Sequence, residues 1–450
     1  MINKVVRSAR EAVRNIKDGD TILVAGFQGI GHPNELLDEI VRRGVKNLTV
    51  VANTIILGGP LVPNGCVKKF ICALPKVKLD TKVLRGTDTA TRAAQVTDIA
   101  KNLYTAGKME IEVVPQANMI ERIRSSSAGI AGFYTAVGAD TDYAINKESK
   151  IINGIKYIYE EAIHVDVAIV SADVADRFGN CGYKISCRGP SHYMACAARH
   201  TIVQADRIVD AMDTASIHTP GIFVDRVVQS RKPFVIRHKA QEPDEVSSAI
   251  AERAARDIPD NSVVDLGYGM PWHAVKYLQQ DKEILVHSEG MLGRARLLDN
   301  TEPDAHWRGA DGTMLAMDAG AAAVDFVDSF NMITSGRIDY VLLGAFQVGA
   351  NGDFAGWATN NPDRLPAPGA SMELARYSKN VHILMTHLDK NGQSKIMDTC
   401  TYPVTARGVV KRIYTDFATL EVTPSGLKVI GIHNRMSHNE LETITGVKLL

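Results

Sequence analysis

Val165-Asp-Val-Ala-Ile-Val-Ser-Ala172, running on to Gly179, is matched later in the chain by Ile338-Asp-Tyr-Val-Leu-Leu-Gly-Ala345, running on to Gly352. In both, a strand-length apolar run carries an aspartate at its second position, and Asp166 to Gly179 spans the same length as Asp339 to Gly352 with no gap. The correspondence extends outward. Asp18-Gly19 leads into the apolar run Thr21-Ile-Leu-Val-Ala25, the turn Gly26-Phe-Gln-Gly-Ile-Gly-His-Pro33 and an amphipathic stretch over 35–41. After a helical stretch at 250–256 the same order returns as Asp260-Asn261, Val263-Val-Asp-Leu266 and Gly267-Tyr-Gly-Met-Pro271. The next apolar runs end on Asn53 in the first copy and Glu289 in the second. Fainter echoes link Met194–Ala205 to Met372–Leu388, and His218-Thr-Pro220 to Thr401-Tyr-Pro403.

A repeat of this length means the chain contains one architecture twice. Short apolar strands alternating with longer helical patterns indicate α/β layers, so the expected fold is two related open α/β domains with largely parallel sheets. The expected division is 1–230 and 245–450, joined by the polar, proline-containing linker 231–244. Ligands on open α/β sheets bind beyond the carboxyl ends of the strands. The two glycine turns, Asn53 and Glu289 are therefore the first places to look for chemistry.

The 450 residues suit two or three domains, and 45% hydrophobic with 23% charged residues excludes a disordered chain. Lys plus Arg and Asp plus Glu are each 51, a formal net charge of zero that argues against nucleic-acid and membrane-surface partners. The six cysteines form no Cys-x-x-Cys pair, so they read as buried thiols in a reducing compartment, and a cytoplasmic protein is expected. Val5, Ala9, Ala12, Val13 and Ile16 follow helical spacing and predict an ordinary first helix rather than a transit peptide. Gly26-Phe-Gln-Gly-Ile-Gly31 lacks the third glycine of a dinucleotide fingerprint, where Asn34 stands after Pro33. No phosphate-binding G-x-x-x-x-G-K-[ST], zinc-spaced cluster or G-x-S-x-G elbow occurs, and no metal is expected.

What remains is Val286-His-Ser-Glu-Gly-Met-Leu-Gly293, a carboxylate at a strand-to-turn junction with two glycines close behind. Taken with Val324-Asp-Phe-Val-Asp-Ser-Phe-Asn-Met-Ile333, Gly336-Arg-Ile-Asp-Tyr-Val-Leu-Leu-Gly-Ala-Phe-Gln-Val348 and Gly352-Asp353, it resembles the family I coenzyme A-transferases of the 3-oxoacid type, their two subunits fused. The first half carries the resemblance through Asp18-Gly19, Gly26-Phe27, Gly31, Pro33, Val113-Val-Pro-Gln116 and Glu121-Arg-Ile-Arg124. It continues through Ala128-Gly-Ile-Ala-Gly-Phe-Tyr-Thr135 and Ile217-His-Thr-Pro-Gly-Ile-Phe-Val-Asp225.

The resemblance implies that Glu289 is a covalent nucleophile. It implies ping-pong transfer of coenzyme A between carboxylic acids, with coenzyme A as substrate and transient adduct and no permanently bound cofactor. It associates Gly26, Phe27, Gln28, Gly29, Ile30, Gly31 and His32 with the coenzyme. It places Gly369, in Ala367-Pro-Gly-Ala-Ser371, near the oxyanion, with Gly290 and Gln116 as further loop or oxyanion support. Asn53, Gly267, Gly269, Phe346 and Gln347 are the expected substrate-pocket residues. For Gln116 and Gln347, orienting an acyl group and plain structural hydrogen bonding remain equal alternatives. A homodimer or larger assembly is implied as well. The chain departs from the family pattern at Ser288-Glu-Gly-Met291, where Ser-Glu-Asn-Gly is usual, at Ala355-Gly-Trp357, and at Ala25. Such changes leave hydrolysis of acyl-coenzyme A, or binding without catalysis, as alternatives on the same scaffold.

Overall fold

The computed structural model describes residues 2–27, 30–75, 88–231, 243–279, 282–298, 306–361 and 364–450. The chain forms two compact units: Met1–Phe133, Tyr159–His238 and Ala323–Asp328 make the first, and Tyr134–Ile158, Lys239–Ala322 and Ser329–Leu450 the second. Two segments thus depart from the end-to-end division at 231–244, a linker that lies mostly outside the described residues. Local contacts explain both. Asp140 is held by Arg376 and Arg407 of its own unit, while Phe326 packs against Phe27 and Tyr193.

In the first unit, parallel strands run in the order Val5–Val6, Arg226–Gln229, Ala198–Val209, Val165–Asp176, Thr21–Val24, Leu48–Val51, Val67–Cys72 and Glu110–Val113. The second unit has a parallel centre of Ile284–Ser288, Ser262–Leu266, Tyr340–Leu343, Asn380–Leu384 and Val410–Tyr414. Antiparallel strands extend it: Met291–Gly293 on one side, Ala418–Thr423 and Gly426–Ile432 on the other.

The repeat is present at atomic detail. Asp166 Oδ2 accepts from the Thr21 amide at 2.9 Å, and Asp339 Oδ2 accepts from the Val263 amide at 2.9 Å. Asp18 and Asp260 likewise cap the starts of the neighbouring strands through the Lys46 and Glu283 amides. Helices cover the sheets through apolar stripes at helical spacing. Leu36, Leu37 and Ile40 are buried in Asn34–Arg42; Ile250, Ala251, Ala254 and Ala255 are buried in Glu245–Arg256, which starts on the Asp244 cap.

The predicted first helix is corrected. Val5 lies in a strand paired with Val227, and the helix runs only over Ala9–Ala12, because the Ser8 cap starts it there. Cys66, Cys72 and Cys181 are buried thiols, whereas Cys196 and Cys400 are only partly covered. Among the described residues, no helix is long and apolar enough to cross a membrane.

Candidate active site

Parallel pairing brings the carboxyl ends of the first unit's strands to one edge, with Leu23 level with Val51, Val51 with Ile71, and Cys72 with Val113. The glycine turn leaves this edge at Gly26, whose φ of +138° is open to glycine and whose added Cβ would lie 2.9 Å from Leu57. Phe27 and Ile30 exchange backbone hydrogen bonds at 3.0 and 2.9 Å; Gln28 and Gly29 lie outside the described residues. The Phe27 and Ile30 side chains are buried, Phe27 edge-on to Phe326, so they anchor the loop rather than line its surface. Gly31 turns the chain back at φ +65°. His32 is buried beyond it, with Nδ1 2.5 Å from Asn34 Oδ1 and Nε2 2.9 Å from the Leu57 carbonyl. Burial holds its pKa below the ordinary histidine value, although both contacts oppose the shift.

Two amides at the same edge are unusual. Asn53 uses its carbonyl to accept from Ala73 and Leu74, but its buried side-chain Oδ1 has no partner among the described residues. Gln116, at the start of the helix Gln116–Ser127, is fully buried, and neither its Oε1 nor its Nε2 is bonded among the described residues. An unsatisfied buried polar group costs about 1–3 kcal/mol, so such residues call for a function.

In the second unit the ladder sets Asp265 opposite His287 and Leu266 opposite Leu342. Glu289 follows the strand Ile284–Ser288 directly, in a two-residue turn between the paired residues Ser288 and Met291. Gly290 adopts φ +84°, the positive angle a turn needs at this position. Glu289 is partly exposed, and Ser288 Oγ lies 3.5 Å from its Oε2. Gly290, expected as oxyanion support, donates its amide to the buried Ser329 Oγ at 2.9 Å, so it serves the turn. That hydroxyl also lies 3.0 Å from His287 Nε2, and His287 Nδ1 lies 2.6 Å from Asp265 Oδ2.

Gly267 and Gly269 follow the neighbouring strand at this edge. A Cβ on Gly267 would come within 2.9 Å of the Leu342 carbonyl, which explains glycine there, and Gly269 takes φ +88°. Phe346 carries the Arg364 guanidinium 4.1 Å over its ring. Gln347 is occupied: its Oε1 accepts from the Thr401 and Tyr402 amides, and its Nε2 donates to Thr401 Oγ1 at 2.9 Å. Gly369 turns the chain at φ +51° before the helix Ser371–Tyr377, and no acceptor among the described residues takes its amide.

Asp265, His287 and Ser329 form no local sequence motif, because their partners lie 22 and 42 residues apart in sequence. The aligned repeat carried the signal. Counting from the equivalent Thr21 and Val263, the second copy has Asp265 and His287 where the first has Leu23 and Val51.

Comparison with known proteins gives a consistent result. The family model described as coenzyme A transferase matches residues 6–230 and 247–440. Human mitochondrial succinyl-CoA:3-ketoacid coenzyme A transferase 2 is 30% identical over 448 residues, covering 92% of this chain and 83% of that protein. The two polypeptides of 3-oxoadipate CoA-transferase from Pseudomonas putida match separate portions. One is 38% identical over 51% of this chain and the other 42% identical over 45%, each across 94% of its own length. An acyl-CoA transferase structure from Escherichia coli O157:H7, a thioester complex with CoA, shares the fold with a TM-score of 0.77 at 16% identity, covering 100% of this chain and 94% of that one.

Proposed function

The chain belongs to the family I coenzyme A-transferases, with the two subunits fused in one polypeptide, and on that premise we propose that Glu289 is the residue through which it transfers coenzyme A. The observation that carries this reading is the position of Glu289, a partly exposed carboxylate in a tight turn directly after a parallel strand. A glutamate is ionised at neutral pH, with an ordinary pKa of about 4.3, and becomes a better nucleophile as water leaves it. Its carboxylate attacks the thioester carbonyl, forming a mixed anhydride and expelling the coenzyme A thiolate. The thiolate attacks the glutamyl carbonyl, freeing the first acid and leaving a glutamyl–coenzyme A thioester. An incoming carboxylate repeats both steps in reverse, which restores Glu289. Each attack builds an oxyanion, and a positioned backbone amide contributes about 3 kcal/mol to meeting it. The unclaimed Gly369 amide is the candidate donor; Gly290 is not.

The substrate reading follows the relatives, whose names specify succinyl-CoA, 3-ketoacids and 3-oxoadipate. Arg364 supports a dicarboxylic donor: it has no carboxylate partner among the described residues and sits over Phe346, just past the Tyr340–Leu343 strand. Asn53 and Gln116 supply unused amide groups for the acyl or coenzyme moiety. In this reading residues 1–230 and 245–450 correspond to the alpha and beta subunits of two-chain relatives. It also takes the enzyme to be cytoplasmic and a homodimer or larger. The free thiols support a reducing compartment. The exposed Ile151 and Ile152 of the strand Ser149–Ile152 support assembly, since long apolar edges rarely stay bare.

Incubation with succinyl-CoA and no acceptor should add one coenzyme A mass to the peptide containing Glu289. Active enzyme without that adduct refutes the proposal. Release of free coenzyme A at an equal rate with and without a 3-oxo acid would make it a hydrolase instead.

A further inference from the structure

We propose that Asp265, His287 and Ser329 are positioning residues that hold the Glu289 turn in its reacting geometry; this rests on the reading of Glu289 as nucleophile. The argument begins with the repeat. Where the first unit pairs Leu23 with Val51 across adjacent strands, the second pairs Asp265 with His287. The apolar pair is fully buried, and its polar counterpart is nearly so, at 6% and 1% exposure. The fold is therefore built without a polar pair at this level. Burying one is unfavourable unless every group is bonded, so its presence needs a reason beyond folding.

Every group is bonded, and the chain of bonds leads to Glu289. The Gly290 amide donates to Ser329 Oγ at 2.9 Å, Ser329 Oγ lies 3.0 Å from His287 Nε2, and His287 Nδ1 lies 2.6 Å from Asp265 Oδ2. His287 Nε2 also lies 3.1 Å from the Ser329 carbonyl, so the imidazole meets both the backbone and the side chain of that residue. Ser329 Oγ also lies 3.3 Å from the Ser288 carbonyl, so one hydroxyl touches the backbone on both sides of Glu289.

The residue types and contacts are those of a hydrolase triad, but the serine is no nucleophile. Ser329 is fully buried, and its oxygen is occupied by the Gly290 amide. The array instead fixes the plane of the 289–290 peptide, and hence the direction in which the glutamate side chain leaves the turn. A misplacement of about 1 Å can cost a reaction of this type 100-fold.

The test uses the full-length enzyme with succinyl-CoA. Ser329→Ala should slow formation of the Glu289 adduct and lower kcat by about 10–100-fold, with KM for succinyl-CoA unchanged within about threefold. The double variant Asp265→Leu/His287→Val, which writes the first unit's pair into the second, should lose activity to a similar extent while melting no lower than wild type. If the double variant does not fold, Ser329→Ala, which removes a single oxygen, decides the matter. Adduct rates within twofold of wild type in the folded variants overturn the network. Wild-type turnover without any Glu289 adduct overturns the nucleophile reading itself, and this role with it.

Discussion

The two units share a core of five parallel strands in the same order, yet their carboxyl edges are finished in opposite ways. At the first unit's edge the polar side chains Asn53 and Gln116 are buried with hydrogen-bonding atoms that no described residue uses. At the second unit's edge His287, Ser329 and Gln347 are bonded within the protein, and the partly exposed carboxylate is carried by a braced turn. The difference separates two tasks. Unused amide groups suit recognition, because a ligand can satisfy them on arrival. A saturated framework suits a reacting group, because no reorganisation is needed when charge moves.

The severest challenge to this comparison is Glu289→Ala, which should lower transferase activity by at least about 10⁴-fold, measured as acceptor-dependent acyl-coenzyme A formation. Asn53→Ala should cost far less, about 10–100-fold, and show mainly in KM. The two glutamines sharpen the contrast. Gln347→Leu strands the Thr401 and Tyr402 amides and should destabilise the protein by about 1–3 kcal/mol in urea unfolding. Gln116→Leu removes unsatisfied atoms and should leave stability equal or higher while impairing turnover.

Arg364→Met should raise KM about tenfold for succinyl-CoA and leave a monocarboxylic donor such as acetyl-CoA unaffected. The smallest effect concerns acid stability. Burial lowers the pKa of His382 to about 4, so the folded state keeps it neutral while the unfolded chain takes up a proton below about 6.5. That contribution to stability is present above pH 6.5 and is lost as pH falls toward 4. His382→Phe should narrow the fall in melting temperature between pH 7 and pH 5 by about 2–4 °C.

The architecture was largely legible in the amino-acid order because buried parallel strands leave uninterrupted apolar runs, as at Thr21–Val24, Leu48–Val51 and Tyr340–Leu343. Local signals also marked Glu289, since a glutamate followed by glycine after an apolar run is a short-range pattern. What stayed hidden depends on pairing across long stretches of chain. Nothing near Gln347 announces that Thr401 and Tyr402 will claim it, and nothing near Ser329 points to Gly290. The reassignment of 134–158 and 323–328 has the same origin. Asp140 meets its arginines, and Phe326 its aromatic neighbours, across long separations in sequence. The short first helix misled for a different reason: its apolar spacing continues through a strand residue that pairs with Val227.

The connection from Ser288 to Met291 has room for only two residues, and Met291 is completely enclosed. Side chains along a strand alternate in direction, so one added residue here would turn Met291 toward water and draw Leu292 inward. A single-codon insertion that rebuilt the longer Ser-Glu-Asn-Gly spelling would therefore disturb the strand behind it. In a library of one-residue insertions, this hairpin should be among the least forgiving positions in the molecule.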